Sequence, residues 1–132
     1  TALGKMLLGS LPRRRRERLI ANLPLRCYTV KTITDAEAFA REVERARAAG
    51  VATACNEFLA GVVGVAVPVI GPRQQVRAAL ALVAPEARLT CEQALKQVAR
   101  LREAADRRSA TPFADVPESA RADRAAVSLR SV

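Results

Sequence analysis

The chain has 132 residues, half of them apolar, no histidine, and a formal net charge of +9. That length is one domain's worth with enough apolar content for a real core, and aromatic residues at 3% make it a core of Leu, Val and Ala. The missing histidine removes Ser-His, Cys-His and zinc-histidine chemistry together, and no apolar run approaches the roughly 20 residues of a membrane span.

Residues 1–9 read as a short helix, with Thr1 as N-cap and Ala2, Leu3, Met6 and Leu7 at helical spacing. Gly4 inside it costs about 1 kcal/mol relative to Ala, which points to a close backbone approach there. Pro12, preceded by Ser10 and Leu11, opens a second helix that runs to about Asn22 with Leu19 and Ile20 turned inward. Its first turn is crowded with arginine against the macrodipole. Leu23-Pro24-Leu25 ends it, and residues 27–33 follow as a short extended segment. Thr34 with Glu37 three residues on is a capping-box pattern. Phe39, Val43 and Ala46 then share a helical face, and Gly50 supplies the stop.

Three apolar runs follow: residues 51–55, residues 62–70 and residues 76–83. They read as strands joined in a meander, with Gly71-Pro72 as the turn between the second and third. Thr90 and Gln93 repeat the capping pattern, and Leu95, Val98, Leu101 and Ala105 form the stripe of one last helix. Past Arg108 the periodicity fades, so residues 1–108 are expected to form the domain and residues 109–132 a flexible tail with Phe113 as its anchor. The order of elements gives an α+β fold, an antiparallel sheet with helices packed on it.

The charge is unevenly placed. Residues 1–50 carry 11 basic against 5 acidic groups, including Arg13, Arg14, Arg15 and Arg16 in succession. Four successive helical residues turn through about 300°, so that run makes no single face, and without interleaved aromatics it offers no base-stacking platform. A solvated charge run is the plainer reading and phosphate binding the sharper one. Cys27, Cys55 and Cys91 are odd in number and widely spaced, with no Cys-x-x-Cys. They read as small buried hydrophobes in a reducing compartment, not as a zinc site. The loop Asn56-Glu57-Phe58 holds the one carboxylate between Gly50 and Pro85, either the wall of a small-molecule pocket or a solvated turn.

Several stretches in order, TALGKMLL at residues 1–8, Leu23-Pro24-Leu25, Thr29 with Thr32-Ile33-Thr34-Asp35, and Gly61 with Val65-Ala66-Val67-Pro68-Val69, resemble the effector-binding domain of IclR-type bacterial transcription regulators. The resemblance implies a GAF-like sheet with helices on both faces, here partial because the family's first strands lie upstream of its TALGK-like helix. It also implies a small organic or aromatic acid as effector and a dimer or tetramer. Operator DNA would be bound only through an upstream winged helix-turn-helix domain that this chain lacks. The family's pocket falls on Ala2 and Leu3, Cys55 and Glu57, Gly64, and Ala81 and Val83. Where relatives often carry an acidic residue, Cys or Ser, this chain has Cys55, Gly64, Ala81 and Val83, so its pocket is expected to be more apolar. No cofactor is implied, and neither a membrane nor an enzymatic role. The chain opens without a signal-peptide pattern, and a cytoplasmic fragment of a longer regulator is the expectation. The alternative is a basic nucleic-acid-binding or structural fragment that has lost its effector.

Overall fold

Side chains alternate between the two faces of a strand, and the sequence loads those faces differently. A computed structural model describes residues 1–109. They form α1 (Ala2–Gly9), α2 (Arg13–Ala21), α3 (Ala36–Ala49), β1 (Ala52–Cys55), β2 (Val62–Ile70), β3 (Val76–Pro85), α4 (Cys91–Lys96) and α5 (Val98–Ser109). The strands make one antiparallel sheet in the order β1-β2-β3, the expected α+β meander. One face is built from Ala52, Ala54, Ala66, Ala79 and Ala81, and receives Ala2 and Met6 of α1 and Ala46 of α3. The other carries Val63, Val65, Val67 and Val69, covered by Ala94 of α4 and by Val98, Leu101 and Ala105 of α5. Small residues on the first face let helix backbones come close, while the valines fill the second.

Helices α1 and α3 come close at Gly9. A Cβ there would lie 3.2 Å from the Cβ of Arg47 and 3.4 Å from the carbonyl oxygen of Val43. Gly4, expected to be that position, would meet only the Thr1 hydroxyl, at 3.2 Å. The buried stripe of α1 is Ala2, Lys5, Met6 and Gly9, so Leu3 and Leu7 stand outside it. In α2, Ile20 is buried and Leu19 is exposed.

Local chemistry explains most of the boundaries. Asp35, one residue past the expected Thr34, caps α3 by accepting the Ala38 N–H at 2.6 Å, and Gly50 closes that helix in the left-handed region at φ 62°. Asp35 adds a negative charge at the helix start, where the macrodipole favours it. Thr90 and Gln93 form the expected capping box. Pro12 occupies the N-cap of α2 with no side-chain bond. There Arg16 finds a structural purpose, its guanidinium donating to the carbonyls of Gly9 and Leu11 and to Glu44.

Two further expectations fail. Residues 27–33 are not extended: the Thr32 N–H bonds to the Thr29 carbonyl, and the Thr32 hydroxyl takes the N–H groups of Tyr28 and Thr29. The last helix is two helices broken at Gln97. α4 packs beside Val63 and Val65 through Ala94, while Val98 and Leu101 of α5 reach all four valines. Leu95 is consequently exposed. The tail beyond Ser109, with Phe113, lies outside the described residues.

Pro68 sits in the central strand, where a missing N–H usually costs a ladder bond. The Asn56 N–H donates to the Val62 carbonyl, so the even-numbered residues of β2 bond toward β1. β1 pairs only as far as Ala66. The N–H that Pro68 lacks therefore has no strand beside it to serve.

Candidate functional site

At the end of the small-residue face, beneath the start of α1, lies a cavity of about 200 Å³. Ala2 and Leu3 of α1, Gly64 of β2 and Ala81 and Val83 of β3 line it, and Phe58 and Leu59 of the β1–β2 loop close one side. The register explains the gathering: Gly64 lies between Ala54 on β1 and Val83 on β3. A Cβ at Gly64 would come within 3.7 Å of both Ala2 and Val83, so a larger side chain would fill the space. Five of the seven residues named from sequence thus meet around one carbon-lined cavity.

The other two do not line it. Cys55 is disulfide-bonded to Cys91, with Cα atoms 6.0 Å apart, tying the end of β1 to the first residue of α4. It packs on the valine face, because one step along a strand reverses the side chain. The reading of all three cysteines as reduced, buried hydrophobes is corrected here, since Cys27 is free but exposed.

Glu57, read from the sequence as a pocket wall or a solvated turn, pairs with Lys5 at 2.7 Å. Lys5 is wholly buried. Its ammonium also donates to Glu42 at 3.2 Å and to the Thr53 carbonyl at 2.8 Å, so α1, α3, β1 and the loop meet at one nitrogen. Burial pushes its pKa below the ordinary lysine value, while the hydrogen bond and charge of Glu57 pull it back up. Sequence reasoning missed this lysine. The signal was available: Lys5 stands at i+3 from Ala2, on the stripe that continues to Met6 and Gly9.

The loop is pinned from outside as well. The Thr29 hydroxyl donates to the Asn56 carbonyl at 2.5 Å and the Thr32 hydroxyl to the Glu57 carbonyl at 2.6 Å. Asn56 holds a left-handed backbone, φ 61°, supported by its side chain, which accepts the Gly61 N–H and donates to Glu86. The Phe58 ring lies against Tyr28 with centroids 4.9 Å apart. Beyond it is a second hollow of about 140 Å³, walled by Leu25, Ile33 and Phe39 and edged by Arg26, Thr32 and Glu57. Among the described residues no group of three or more His, Cys, Asp or Glu is placed to hold a metal ion, and no helix is long and apolar enough to cross a membrane.

The α+β meander thus carries an open-mouthed apolar cavity under the start of its first helix. Residues 1–110 match the C-terminal domain of the bacterial transcriptional regulator IclR, and the chain belongs to that family. A curated relative, the probable transcriptional regulator SauR of Cupriavidus necator, is 44% identical over 106 residues, covering 80% of this chain and 42% of the relative. The chain therefore spans less than half the length of that relative. Among solved structures, the inducer-binding domain of PobR from Acinetobacter, a double mutant in complex with 3-hydroxybenzoic acid, is similar at TM-score 0.77. It is 29% identical, with 83% of this chain and 63% of that one covered. The C-terminal domain of KdgR from E. coli is similar at TM-score 0.74 and 31% identity, covering 83% and 67%.

Proposed function

We propose that this chain is an effector-sensing module of an IclR-type transcriptional regulator and that the cavity under α1 takes the hydrocarbon part of a small organic or aromatic acid. The single observation that carries the reading is the convergence of Ala2, Leu3, Gly64, Ala81 and Val83 on that cavity. A mostly apolar, preformed hollow with few polar groups is what a small-molecule site requires. That the PobR domain was solved with a hydroxybenzoic acid supports the same ligand class. In this reading the module assembles as a dimer or tetramer and acts on operator DNA through a separate winged helix-turn-helix domain. Its role is binding and not catalysis, in keeping with relatives that are transcriptional regulators.

The basic-fragment alternative rests on net charge, and the structure weakens its footing. Arg13, Arg16, Arg41, Arg45 and Arg47 are each paired with a glutamate. A nucleic-acid surface needs basic groups that converge on one face, and these five are engaged within the chain.

Calorimetry of benzoate and 3-hydroxybenzoate with the chain and with Ala81→Arg tests the reading. A side chain of that size at Ala81 fills the cavity, so binding is expected to disappear in the variant. An equal response from both proteins would move the site elsewhere.

A further inference from the structure

The cavity and the hollow beside it share two lining residues, Thr1 and Phe58. At about 200 and about 140 Å³, each is smaller than the roughly 300 Å³ at which small-molecule sites usually begin. Joined, they would reach that size. Resting on the effector-binding reading above, we infer that Phe58 is a specificity-determining gate that divides one elongated site into a wholly apolar half and a half whose apolar wall also carries charged and hydroxyl groups. With the ring turned aside, the site takes a longer ligand, an aryl or alkyl body in the first half and an anionic group in the second.

The loop is built so that this ring can move while its backbone stays. Cys55, Asn56 and Glu57, the three residues before it, are held by the disulfide to Cys91 and by the Thr29 and Thr32 hydroxyls. The Phe58 side chain has no such fixing: the residue is 56% exposed, and its ring has Tyr28 as aromatic neighbour. Side chains exposed to that degree change rotamer on the picosecond-to-nanosecond scale.

The charge of the second half favours an acid. Lys5 and Arg45 are balanced by Glu57 and Glu42, to which they are paired. Glu57 therefore presents a carboxylate whose charge is already met. Arg26, on the same wall, has no ion-pair partner among the described residues. A ligand carboxylate would find its countercharge at Arg26, which lines the second hollow together with Phe58.

Two probes of different length test the gate in the full chain: benzoate and biphenyl-4-carboxylate, titrated by calorimetry into wild type, Phe58→Ala and Phe58→Leu. The ratio of biphenyl-4-carboxylate to benzoate affinity is expected to rise at least tenfold in Phe58→Ala and by less in Phe58→Leu. Adding Arg26→Ala to Phe58→Ala is expected to lower that ratio again. Tyr28→Ala, which frees the ring without removing it, should shift the ratio in the same direction as Phe58→Ala and guards against a variant that fails to fold. A ratio unchanged by all three single substitutions overturns the gate, while benzoate binding lost in Ala81→Arg would still uphold the effector site. Binding of the longer acid by Phe58→Ala alone supports the gate and argues against a monocyclic effector. Binding of neither acid by any form overturns both.

Discussion

The Nζ of Lys5 lies 2.7 Å from Oε1 of Glu57, joining the first helix to the loop that closes the cavity. Glu42 is the second carboxylate on that nitrogen, and the two glutamate side chains are only 10% and 19% exposed. Removing one partner of a buried pair leaves the remaining charge without compensation, typically at 3–5 kcal/mol. Because both glutamates keep some contact with water, Lys5→Met is expected at the lower end, about 3 kcal/mol, read as a lower urea midpoint. Adding Glu57→Gln should recover part of the loss, since the unpaired carboxylate goes with it. A simple sum of the two single effects would show that the groups do not act as a pair.

The same lysine sets a sign for pH dependence. Its folded pKa lies below the ordinary value of 10.5, chiefly through burial. Between the folded and unfolded pKa values the unfolded chain binds more protons, so this group's contribution to stability rises with pH there. Wild type should therefore gain stability relative to Lys5→Met as pH climbs toward 10.5, followed by denaturation at several alkaline pH values. A relative loss over that window would mean that the partners, not burial, dominate the shift.

Thiol titration checks the cysteine arrangement. In non-reducing buffer only Cys27 should react, and all three cysteines should react after reduction and unfolding. The disulfide spans a separation of 36 residues, and the chain-entropy account gives a loop of that size about 3–4 kcal/mol. Reduction is expected to lower the urea midpoint accordingly. Three reactive thiols in the untreated folded protein would contradict the bond.

Gly9 and Gly4 should respond oppositely to substitution. Gly9→Val forces atoms against Arg47 and the Val43 carbonyl, an overpacking that costs about 1–3 kcal/mol. Gly4→Ala meets only the Thr1 hydroxyl and gains up to about 1 kcal/mol of helix propensity. Thermal melts of the two variants on either side of wild type would bear out the assignment of the close approach to Gly9, and matching melts would not.

Strand β3 offers its outer edge unpaired among the described residues, and such an edge is a template for strand pairing. The chain is expected to exceed its monomer mass of 14.2 kDa in light scattering as concentration rises. The bonding pattern, with the Glu86 N–H on the Gly61 carbonyl, leaves the odd-numbered residues of β3 facing outward. Val83→Pro removes one outward N–H without breaking a bond to β2 and should reduce the association. A mass that stays at one chain at every concentration would count against an adhesive edge.

The sequence by itself determined the α+β order, the strands of the meander, the capping at Thr90 and the stop at Gly50, because each follows from near-neighbour chemistry and hydrophobic period. The family resemblance also assigns Ala2, Leu3, Gly64, Ala81 and Val83 to one pocket, and these five line the cavity under α1. Only the tertiary structure decided which face of α1 is buried, since Lys5 enters the core through carboxylates 37 and 52 residues away. It likewise decided that Cys55 turns from the cavity to meet Cys91, that Gly9 and not Gly4 marks the crossing, and that the last helix breaks at Gln97. In each case a partner distant in the chain outweighs the local preference, and periodicity carries no information about that partner.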